Sequence, residues 1–100
     1  MTDFPEQVEV PVTQEDIDRG QRNDPFTCPL ARGARRAFTE VLGAAPDNLS
    51  VGSYVGVALH GDFTFYDGPA EWHAFMNAVD KWWTVEPATF TLRKIGRPHE

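Results

Sequence analysis

The chain has 100 residues, 41% hydrophobic and 24% charged, which suffices for one hydrophobic core and leaves no room for a second domain. Fifteen acidic against nine basic residues give a net charge of -6, which argues against a general binder of phosphate backbones. A single cysteine, Cys28, excludes an internal disulfide, and no stretch approaches the ~20 apolar residues needed to span a bilayer.

Val8, Val10 and Val12 alternate with Glu9 and Pro11, the pattern of a strand with one buried face. Pro11 cannot donate to a ladder, so this strand belongs at an edge. Thr13 and Asp16 stand at capping-box spacing and open a short helix that Gly20 closes. After the turn-rich segment 21–27, Cys28 caps a second helix with Pro29 at its first position; Leu30, Ala34, Phe38, Val41 and Leu42 form its expected buried stripe, and Gly43 and Pro46 end it.

From Leu49 to Leu59 the odd positions Leu49, Val51, Val55, Val57 and Leu59 are apolar, which predicts one continuous strand. A turn at His60, Gly61 and Asp62 leads to a third strand, Phe63 to Tyr66. Three turn residues, pairing Leu59 with Phe63, would put Phe63 and Phe65 on the face of Val57 and Leu59. Trp72, Phe75, Met76 and Val79 recur at helical spacing and predict an amphipathic helix from Pro69 to Trp83, followed by a final strand over Ala88 to Ile95.

The expected fold class is α+β: a two-layer sandwich of a four-stranded sheet with helices on one face, in the ferredoxin-like βαββαβ order. Pro11 is the objection, because the first strand of that fold is internal, and other two-layer α+β topologies stay open. The expected domain is 1–100, with loose termini at 1–6 and 96–100. Residues 1–6 have neither the positive start nor the apolar run of a signal peptide, so the expected location is the cytoplasm.

No constellation for catalysis stands out, and no metal or cofactor is expected. His60, His73 and His99 lie at none of the usual zinc spacings, and Asp67, Glu71 and Asp80 are explained by helix termini and solvated faces. Cys28 at a helix start could have a lowered thiol pKa, which leaves a thiol-dependent enzyme as a third reading. Arg19, Arg22, Arg32, Arg35 and Arg36 place five basic residues within eighteen positions. They suit an acidic partner or, as the alternative reading, a nucleic acid, with Arg19 and Arg22 on the backbone and Tyr54 and Tyr66 on an open sheet face as stacking platforms.

Val10 to Gly20 with Cys28-Pro29-Leu30-Ala31, and Ala78-Val79-Asp80 through Val85 to Leu92, together resemble a family of small proteins of actinobacteria and their tailed phages. The resemblance implies an accessory protein, phage-encoded and in that case resident in the host cytoplasm, and carries no activity with it. The expected function is therefore a small, acidic, non-enzymatic protein-binding module, a modulator of a host protein, monomeric or homodimeric and not membrane-bound. Trp82 and Trp83 are adjacent on the expected helix, about 100° apart, so both can hardly point into the core and one should be partly exposed as an interface anchor. With Arg32, Arg35 and Arg36 they form the expected partner-binding set.

Overall fold

The computed structural model describes residues 2–96. Its elements run β1 (Gln7–Val12), α1 (Gln14–Arg19), α2 (Pro29–Leu42), β2 (Asn48–Val51), β3 (Val55–Leu59), β4 (Asp62–Asp67), α3 (Ala70–Asp80) and β5 (Ala88–Gly96). The fold is α+β, but the sheet has five strands in the order β1-β5-β4-β3-β2, and every pairing is antiparallel. The four-stranded ferredoxin-like order, which places the first strand inside the sheet, is thereby corrected: there are five strands, and the first lies outside. β1 is an edge strand, as Pro11 requires.

The backbone hydrogen bond from Lys94 to Glu6 fixes which β1 residues carry the ladder. In the antiparallel register Val8 faces Leu92 and Val10 faces Phe90, so the even residues bond to β5 and the odd ones, Pro11 included, point outward. Arg36 donates to the outward carbonyl of Pro11 at 2.8 Å.

The extra strand comes from the stretch Leu49 to Leu59, which is a hairpin. Val51 pairs with Val55 and Leu49 with Val57 across the loop Gly52-Ser53-Tyr54. Both partners in each pair are odd-numbered, so the alternation survives the turn and all five apolar residues are buried. The next turn has two residues rather than three. His60 and Gly61 both adopt left-handed backbone (φ 55° and 84°), the geometry that suits a tight hairpin, and Leu59 pairs with Asp62. That register sends Thr64 and Tyr66 into the core and puts Phe63 and Phe65 on the outer face.

One core lies between the sheet and the helices. α2 contributes Leu30, Ala31, Ala34, Ala37 and Phe38, while Val41, expected in its stripe, is exposed. The helix lies against β1 and also against β2, the two opposite edges, so the sheet curls around it. Gly33 allows the close approach to β1, since a Cβ there would meet the Pro11 carbonyl at 3.1 Å. α3 seats Trp72 and Phe75 edge-on against Phe90 of β5, each with ring centroids 5.4 Å apart.

The opening residues, expected to be loose, are tied to the sheet. Phe4 is buried, Lys94 donates to its carbonyl, the Tyr66 hydroxyl donates to the Pro5 carbonyl, and Thr2 donates to Asp62. Of the expected loose segment 96–100, the last four residues lie outside the described range. Among the described residues no helix is long and apolar enough to cross a membrane.

Candidate interaction surface

The surface begins where α3 stops. The expected helix to Trp83 ends at Asp80 in a Schellman-type turn: the Trp82 N–H bonds the Val79 carbonyl and the Trp83 N–H reaches back to the Ala78 carbonyl. The residue in the left-handed position of such a turn is usually glycine, because a Cβ there is costly. Here it is Trp82, at φ 63°. Its indole gains no burial in exchange, being 73% exposed, and Trp83 is 57% exposed. The two tryptophans are therefore not helical neighbours 100° apart, and both rings face solvent.

Each ring has a cation over it. The Arg22 guanidinium sits 4.0 Å from the Trp82 ring centroid, and the Lys81 ammonium lies 5.1 Å from that of Trp83. Arg22 is held there by the 21–27 loop, which docks on the helix end where the Asn23 N–H donates to Asp80. Asp24 stiffens the same loop by accepting from the backbones of Phe26 and Thr27, and Arg35 donates to the Phe26 carbonyl at 2.8 Å. Phe26 itself is half exposed.

The rest of the arginine cluster has internal partners. Asp16 is fully buried, and Arg36 grips it with two bonds, 3.0 and 2.6 Å. Arg32 adds a third contact at 3.4 Å, close enough for an ion pair though outside hydrogen-bond geometry. Burial by itself would raise the Asp16 carboxyl, but Arg36 and the Thr13 N–H outweigh it and hold it below its ordinary value. The Thr13–Asp16 capping box is present as the spacing indicated, so one carboxylate caps α1 and pins α2 to it. Arg19 pairs with Glu15 within α1.

Of the residues set aside for a nucleic acid, Tyr54 is exposed but Tyr66 is fully buried against Phe38 and cannot stack a base. The open sheet face instead carries a chain of edge-to-face rings, Tyr54 to Phe65 to Phe63, which the two-residue turn creates and the expected three-residue turn concealed.

Cys28 caps α2, its sulfur accepting from the Ala31 N–H at 3.4 Å. Burial pushes the thiol up, Asp80 and Asp24 add to the shift, and the helix-start N–H groups do not overcome it. The neutral thiol is thus the favoured form, opposite to what a nucleophile needs.

Comparison of the chain with family models, with curated proteins and with solved structures finds no match.

Proposed function

We propose that this chain is a small protein-binding module whose contact surface is centred on Trp82 and Trp83, with Arg22 as the third anchor. The observation that carries the reading is Trp82: a large apolar side chain held in a glycine-type backbone position with most of its surface in water. Strain of that kind, about 1 to 3 kcal/mol, persists only where the surrounding structure over-determines it and clusters at functional sites. Trp and Arg are also the side chains that most often dominate binding energy at interfaces. Arg32, Arg35 and Arg36, first placed in the same surface, act in this reading as scaffolding, because their guanidinium groups are engaged within the chain. An accessory role acting on a host protein, from a cytoplasmic location, remains the proposal that the two resembling stretches motivate.

The test is quantitative capture from the native host with the intact protein, W82A and W83A. Partners that co-purify with the intact protein should fall at least about tenfold with W82A, the effect of a central anchor worth about 1.4 kcal/mol or more. Recovery unchanged by both substitutions would reject the surface.

A further inference from the structure

The N-terminal half of β5 has one edge that the sheet leaves open. β5 pairs with β1 from Ala88 to Arg93, but its pairing with β4 reaches only as far as Arg93 opposite Asp67. Beyond Asp67 the chain turns away through Gly68 and Pro69 into α3. The even residues of β5 bond to β1, so the backbone N–H and C=O groups of Thr89 and Thr91 point to the opposite side. Among the described residues no strand stands across from them. A groove of about 710 Å³ adjoins that place; Thr89, Thr91 and Arg93 of β5 line it together with Asp67, Pro69 and Glu71, and it runs on past Arg93 to Ile95 and Gln7.

We propose that this groove receives an extended peptide segment carrying basic side chains, which adds to the sheet beside Thr89 and Thr91. Backbone pairing would supply affinity and the groove's side chains selectivity, the usual division of labour in strand addition. The charge of the walls argues for a basic occupant. Asp67, which also contacts His73, and Glu71 share the lining with one Arg, Arg93, and Glu9, bound to the Thr91 hydroxyl, adds a further carboxylate beside the strand. Conditions at the opposite edge differ. There Pro11 lacks an N–H and its carbonyl is occupied by Arg36, a common protection against unwanted pairing. This site is separate from the tryptophan surface and does not rest on it.

The experiment follows backbone amide signals of the full chain by NMR while an end-blocked hexapeptide of alternating valine and lysine is added. The amides of Thr89 and Thr91 should shift and become protected from hydrogen exchange. A peptide N-methylated on the residues facing the protein should bind at least about tenfold more weakly, as expected for the loss of one or two main-chain hydrogen bonds. Thr89→Pro should weaken the unmodified peptide similarly, because it removes an N–H that faces the groove and leaves the β1 ladder intact. A valine–glutamate peptide should bind more weakly than the lysine one. The proposal is overturned if the Thr89 and Thr91 amides do not respond at about 1 mM peptide, the weak end of measurable recognition. It is overturned equally if the N-methylated or glutamate peptide binds as well, or if the same amides are protected by raising protein concentration alone, which would make the occupant a second copy.

Discussion

Asp16 is the residue on which the helical side of the molecule turns. It is fully buried, and its two oxygens serve the α1 cap, Arg36 and Arg32 at once. Asp16→Asn keeps the shape and removes the charge, leaving two guanidinium groups without their counter-ion. The expected cost is about 2 to 3 kcal/mol, below that of a fully buried pair because Arg36 is half exposed. The carboxyl titrates lower in the folded chain than its ordinary value of 3.8. Its contribution is therefore complete above that value and lost as pH falls through the folded pKa. Urea unfolding followed from pH 7 to 3 should show a shallower acid limb for D16N than for the intact protein. Cys28 behaves oppositely: its buried, neutral thiol should react with an alkylating reagent much more slowly than free cysteine at pH 7 and reach the free rate only in denaturant. The capping box was legible because Thr13 and Asp16 are three positions apart. The ion pair was not, since Arg36 lies twenty positions on and no local pattern links it to Asp16.

Among the elements, α3 depends on one fit. Trp72 is buried against Phe90, and a Cβ on Gly68 would come within 2.5 Å of the Trp72 side chain. Trp72→Ala should cost about 3 to 5 kcal/mol by opening a cavity. Gly68→Ala should cost about 1 to 3 kcal/mol, because the added methyl must displace the indole or the turn. His73→Ala removes only a half-exposed contact with Asp67 and should cost less than about 1 kcal/mol. Thermal melts of the three variants should rank in that order. Helix positions read well from the sequence, since caps and apolar spacing are local. Strands β1, β2, β3 and β5 read correctly by face but not by number: a three-residue loop joining odd to odd leaves the period of two unbroken, so β2 and β3 look like one strand. The two-residue His60-Gly61 turn is hidden because placing the apolar Phe63 and Phe65 on the face of Val57 and Leu59 favours three turn residues, and that choice puts Phe63, Phe65 and Tyr66 on the wrong faces.

The whole molecule divides its aromatic residues between the core, the outer sheet face and the end of α3. Trp72, Phe38, Phe75, Phe90 and Tyr66 fill the core enclosed by the curled sheet, whereas Trp82 and Trp83 stand outside it with cations over their rings. Composition cannot separate these groups, and the sequence spacing placed Trp82 and Trp83 on a helix that stops before them. Topology was equally hidden, since the pairing of β1 with β5 joins residues at opposite ends of the chain. The central claim is that Trp82 serves a partner at the expense of the fold. Replacing it with glycine, the residue its backbone favours, tests this directly through the free energy of urea unfolding of W82G. Loss of the Arg22 stack and the greater freedom of glycine when unfolded offset part of the relieved strain. The account predicts a variant as stable as the intact protein or up to about 1 kcal/mol more so. A loss of more than about 1 kcal/mol would contradict it, because Trp82 would then belong to the packing that holds the domain together.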